Sequence, residues 1–191
     1  MNRLLVYFLF FLFSIKAWTQ SEFSTKTIQI LPTSELSIKG DTNISEFGCV
    51  FNTAYLEKNR VVTYKQHGNA ISFNNAVLSL QNKGFNCGNN AINKDFHSLL
   101  NTKEYPIIIL ELTKITFIEK EKAKAYVKIT IAGKKKEYSL PIDIHSSTTF
   151  RFIGKLKLNI KDFNLEPPKK MFGLIVIKEE IEIAFDLGAR L

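Results

Sequence analysis

The sequence predicts an all-β fold: a closed antiparallel barrel of about eight strands with one helix inserted near 91–102. Three observations carry that prediction. Apolar and polar residues alternate with period two over several long segments, the mark of strands with one buried and one wet face. One window alone follows helical spacing, with Ile92, Phe96, Leu99 and Leu100 at i, i+4, i+7 and i+8. Lysines fill much of the polar parity, and closing such strands into a barrel removes the edges they would otherwise expose.

The first twenty residues stand apart. Met1-Asn2-Arg3 leads into the apolar run Leu4–Ile15, broken only by Ser14, and Lys16-Ala17-Trp18-Thr19-Gln20 turns polar. A basic start, a short apolar run and small residues at its end describe a secretory signal peptide, with cleavage between Ala17 and Ser21. The run is short of the roughly 20 residues a spanning helix needs. Losing Arg3 and Lys16 lowers the net charge from +8 to +6. The mature chain, 22–191, is then one exported domain, periplasmic or secreted.

Strand candidates follow at 27–31, 35–39, 43–51, 60–66 and 70–80. In the last of these the apolar parity switches, from Ile71 and Phe73 to Ala76, Leu78 and Leu80. Asn74-Asn75 sits at the switch and predicts a bulge. The helix comes next, with Asn89 or Asn90 as its cap and Pro106 barring continuation. Beyond it lie 107–118, then Ala123–Ile131, Gly133 and the hairpin partner Tyr138–Ile144. Phe150–Ile160 sets Phe150, Phe152, Leu156, Leu158 and Ile160 against Lys155, Lys157 and Asn159. Gly173–Leu187 sets Ile175, Ile177, Ile181, Ile183 and Phe185 on one face.

Composition and motifs narrow the function. Apolar residues are 45% of the chain and charged residues 23%, which is a globular balance, and 16 Phe supply core material. Two Cys and three separated His do not build a four-Cys zinc site or a dense histidine cluster, and no metal site or cofactor is expected. There is no G-x-S-x-G, H-E-x-x-H or glycine-rich phosphate loop. Asp95 and His97 are two apart on the helix and point to different faces. Glu180 shares parity with Lys178 and Glu182 and belongs on the outer wall. Glu179 shares the apolar parity, so it either turns inward or sits at a bulge with a lysine partner. Lys134-Lys135-Lys136 reads either as a contact with an anionic membrane or envelope surface or as a solvated turn. Nucleic acid is not expected, because the aromatics alternate with apolar residues and not with Arg.

Several blocks, in order, resemble the YceI-like family of exported, lipocalin-like barrels, in the branch common in Bacteroidetes-type bacteria. They are Ser34–Gly40, Thr42–Cys49, Cys87–His97, Glu104-Tyr105-Pro106 and Lys161–Pro168, with Met171 and Gly173 close behind. The chain departs from better-known members by carrying Ser34-Glu35-Leu36 in place of a His-Ser pair. It also has Asn93-Lys94-Asp95 in place of an Arg-Asp pair before the helix. The resemblance implies an eight-stranded antiparallel barrel around an elongated apolar cavity that holds a polyisoprenoid chain.

On that reading the chain is a binding protein and not an enzyme, holding an isoprenoid or other long lipid for sequestration or transport. The alternative is an envelope barrel with a filled interior and no ligand. The inward parity sets make Phe73, Phe150, Phe152, Leu156, Ile175, Ile177, Ile181 and Ile183 the candidate lining residues. Cys49 and Cys87 are the two cysteines of a chain read as exported, and both lie in resembling blocks. A disulfide between them is expected, with two buried free thiols as the alternative.

Overall fold

The computed structural model describes residues 22–167, 174 and 176–191. The expected signal peptide 1–20 therefore lies outside the described residues. So do Ile175 and, from the resembling blocks, Pro168, Met171 and Gly173.

Among the described residues eleven strands form in chain order: β1 Ser24–Ile30, β2 Glu35–Thr42, β3 Glu46–Phe51, β4 Asn59–His67, β5 Ala70–Gln81, β6 Phe85–Asn86, β7 Ile107–Phe117, β8 Lys122–Ile131, β9 Lys134–Ser146, β10 Phe150–Asn159 and β11 Ile177–Arg190. The α-helix of the described residues, α1 (Asn90–Leu99), lies between β6 and β7. All pairings are antiparallel. The order β1-β4-β5-β7-β8-β9-β10-β11 returns to β1 through Gln29↔Arg190 and Ile30↔Ala189, closing a ring of eight strands. β2, β3 and β6 continue from β11 as a flap at one end of the ring.

The period-two segments become the wall for the reason the pattern suggests. Along β10, Leu156 and Leu158 are buried while Lys155 and Lys157 are exposed. The outer face is then laced by ion pairs, Lys155–Glu182 at 3.4 Å and Lys157–Glu180 at 3.0 Å among them. Exposed pairs of this kind contribute little stability each. They do keep the polar parity in water, so the register cannot slip by one residue without burying charge.

The bulge in β5 forms where the parity switches. Its pairing with β7 jumps between Ser72 and Ala76. The β8–β9 turn is tighter than the sequence suggests. Ala132 and Gly133 alone make it, with φ of +46° and +73°, and Ile131 pairs directly with Lys134. Lys134–Lys136 are therefore strand residues and not a solvated turn. At the helix, Asn89 is the cap, accepting from the Ile92 N–H at 2.9 Å. The helix stops at Leu99, short of the expected 102, because Asn101 turns left-handed with φ +47°.

The core fills the ring from its inner faces. Leu36, Ile129, Phe163 and Cys49 are almost fully buried. Gly154 is a packing device: a Cβ there would meet the Phe185 ring at 2.6 Å, so the missing side chain makes room for the aromatic.

Candidate functional site

The helix determines where an apolar space survives inside the ring. α1 closes the end of the ring where β5 finishes and β7 and β11 begin. A cavity of about 60 Å³ lies beneath it. Phe96, Leu99 and Leu100 form the roof, and Leu36, Ile38, Phe47 and Cys49 of the β2–β3 flap form one side. Leu80, Ile108, Leu110 and Ile131 come from the wall strands, and Ile177, Lys178, Ile181 and Ile183 from β11. Lys178 offers its aliphatic stem, and its ammonium is held at the rim by Asp41. That contact holds the Asp41 carboxyl below its ordinary value, with the Lys178 hydrogen bond as the largest cause.

The roof is fastened at both ends. Cys49 and Cys87 form a disulfide, joining β3 to the segment that leads into the helix. The Cys87 N–H also donates to Asn93 Oδ1 at 2.7 Å. At the exit, Asn82 is 1% exposed, and its Nδ2 donates to Thr102 Oγ1 at 3.0 Å and the Tyr105 carbonyl at 2.9 Å. These ties link the short helix covalently and by part-buried hydrogen bonds to β3 and the end of β5.

The predicted lining residues divide between the two ends of the barrel. Ile177, Ile181 and Ile183 line the cavity. Leu156 is buried opposite Ile183 on the β10–β11 ladder, in the same core. Phe73, Phe150 and Phe152 belong to the far end, where Phe150 pairs with Ser146 and Ala189. There Phe73 and Phe152 pack against the core, and Phe150 stacks on Phe152 with centroids 6.3 Å apart. Reading by parity missed the roof and flap residues. The helical spacing of Phe96, Leu99 and Leu100 was visible, but which strands they face was not.

The other candidates sit singly. Glu179 is at the β11 irregularity and pairs with Lys161 at 2.7 Å, which holds its carboxyl below the ordinary range. Glu180 is on the outer wall. His67 ends β4, His97 Nδ1 lies 3.3 Å from Thr102 Oγ1, and His145 is 3.9 Å from Glu121. Tyr138 donates to Asp162 at 3.0 Å, and burial first, then that bond, pushes its phenol pKa upward. The cavity lining itself carries no group placed for proton transfer or nucleophilic attack: apart from Lys178 it is built of aliphatic and aromatic side chains and Cys49. Such a space can exclude water and hold an apolar group.

The family model described as YceI-like domain matches residues 55–189. The Ser34–Cys49 blocks precede the matched stretch. No curated protein matches. Among solved structures, BcnA of Burkholderia cenocepacia is similar, with TM-score 0.65 and 19% identity over 81% of this chain and 95% of that one. A polyisoprenoid binding domain from Saccharophagus degradans, implicated in plant cell wall breakdown, has TM-score 0.61 and 12% identity over 85% and 97%. The YceI protein of Campylobacter jejuni has TM-score 0.53 and 15% identity over 89% and 84%. At these identities the likeness to the solved structures is one of fold.

Proposed function

This chain belongs to the YceI-like family, and from that premise we propose that it is a binding protein that encloses a long apolar chain, an isoprenoid or another lipid. The observation that carries the reading is the apolar space under α1, continuous with the inward residues of β11. The polyisoprenoid binding of the Saccharophagus degradans domain supports the same ligand class. Export through residues 1–20, a periplasmic or secreted location, and a role in sequestration or transport belong to this proposal. So does contact of the Lys134–Lys136 edge with an anionic membrane or envelope surface.

Size sets a condition on the reading. A cavity of about 60 Å³ holds roughly four to six water-sized groups, about one five-carbon unit. Burying one such unit is worth about 4 kcal/mol gross, against an association cost of about 4–15 kcal/mol. A long chain therefore has to displace side chains along the barrel axis, from the Phe96 roof toward Phe152. The same volume favours a second reading, in which the interior is filled and takes no ligand.

Mild purification, organic extraction and mass spectrometry of the extract test both. The expected result is a long-chain lipid at near one per barrel, reduced in Ile183→Asn at the cavity end and in Phe152→Asn at the far end. If folded variants keep the wild-type amount, the interior is not the site. If the wild type carries no lipid and takes none up, the filled-barrel reading replaces this one.

A further inference from the structure

The wall of the ring has a seam. β4 and β5 pair only from Tyr64↔Phe73 to His67↔Ala70. At Thr63 the ladder ends: its N–H donates at 2.6 Å to the Asn75 side-chain Oδ1. From there residues 59–62 pair only with β1, and residues 76–81 pair only with β7.

Arg60 stands on that seam. It shares parity with Val62, which is buried, and with Tyr64, which lies opposite the core-packed Phe73. Its side chain therefore starts from the inner face. Its Nη1 lies 2.9 Å from Glu57 Oε2, an exposed carboxylate three residues earlier. Its Nε is buried and has no hydrogen-bond partner. Arg151 shows the contrast, with Nε and Nη2 both donating to Asp186 at 2.5 Å. The Nε–Nη2 edge of a guanidinium, the one Arg151 uses, is a two-donor fork that matches a carboxylate or a phosphate. At Arg60 the Glu57 carboxylate meets Nη1, outside that edge, and the Nε half of the fork is unmet and out of water.

We propose that Arg60 anchors the acidic head group, phosphate or carboxylate, of an apolar chain that enters the barrel through the β4–β5 seam. This rests on the lipid-binding reading and adds the polar end of the ligand. The cavity does not supply that end, because the charged group on its lining, Lys178, is already held by Asp41.

Calorimetric titration of the delipidated protein with farnesyl phosphate, farnesol and inorganic phosphate tests it. Farnesyl phosphate is expected to bind more tightly than farnesol. Arg60→Gln should weaken the phosphate about tenfold or more and leave farnesol unchanged. Glu57→Gln, which removes the competing carboxylate, should tighten the phosphate, and this arm stands if Arg60→Gln does not fold. Equal affinity for the two prenyl probes, or equal loss of both in Arg60→Gln, overturns the anchor and leaves the lipid reading intact. An unchanged phosphate affinity in Glu57→Gln also overturns it. Inorganic phosphate binding as tightly as farnesyl phosphate would show a free-anion site and overturn it too. No binding of either prenyl probe to the wild type removes both the lipid reading and the anchor.

Discussion

Removing the Cys49–Cys87 bond by the double replacement Cys49→Ala/Cys87→Ala should destabilise the barrel mainly through the unfolded chain. The two residues are 38 apart in sequence. The loop-closure entropy that the bond withholds from the unfolded ensemble corresponds to about 4 kcal/mol at 25 °C. Both residues are almost fully buried, at 1% and 5% exposure, so trimming two sulfurs adds a smaller packing loss. For a domain of this size the total is a large part of the usual 5–15 kcal/mol stability, and the midpoint of thermal unfolding should fall by roughly 10 °C. Urea titration monitored by circular dichroism measures it. The slope m should rise, because an uncrosslinked chain exposes more surface when it unfolds. Wild-type protein unfolded with reductant present should show the same rise in m and most of the stability loss, short of the packing part. A stability change under about 1 kcal/mol, or a loss with m unchanged that reductant does not reproduce, would refute the reasoning.

Gly154→Val should cost about 1–3 kcal/mol, because the new Cβ meets the Phe185 ring at 2.6 Å and Ile142 Cγ2 at 3.0 Å. Denaturant unfolding reads the loss, and adding Phe185→Leu should recover part of it; no recovery would mean the ring is not the obstacle. Leu36→Ala removes a cavity-wall side chain that is 2% exposed and should cost about 2–5 kcal/mol in the same assay. Asp41 and Glu179 have carboxyl pKa values depressed by Lys178 and Lys161, so the stability they contribute is present above the unfolded carboxylate pKa. That contribution is lost as pH falls through the lower folded values, and thermal unfolding of Asp41→Asn/Glu179→Gln across that acid range should show a shallower decline than wild type.

The strands and the helix were legible because period two and period 3.6 are local properties of the chain. The alternation in Phe150–Ile160 and Ala123–Ile131 became the wall strands β10 and β8, and the parity switch at Asn74-Asn75 became the β5 bulge. Parity also separated inside from outside, placing Glu180 on the outer wall. What parity lacks is position along the barrel axis. Phe152 and Ile183 read alike in sequence, yet register puts Phe152 beside Ile144 and Leu187 at the far end and Ile183 in the cavity wall. The roof of the cavity depends on which end α1 closes, and that follows from the Cys49–Cys87 bond and the Asn82 hydrogen bonds across 38 and about 20 residues of chain. The seam at Arg60 arises in the same way, where one strand stops pairing with its neighbour. Sequence by itself determined the elements and their buried faces, because those depend on each residue and its near neighbours. Tertiary structure alone decided the site, because a cavity is the space left between side chains that meet only once the ring has closed.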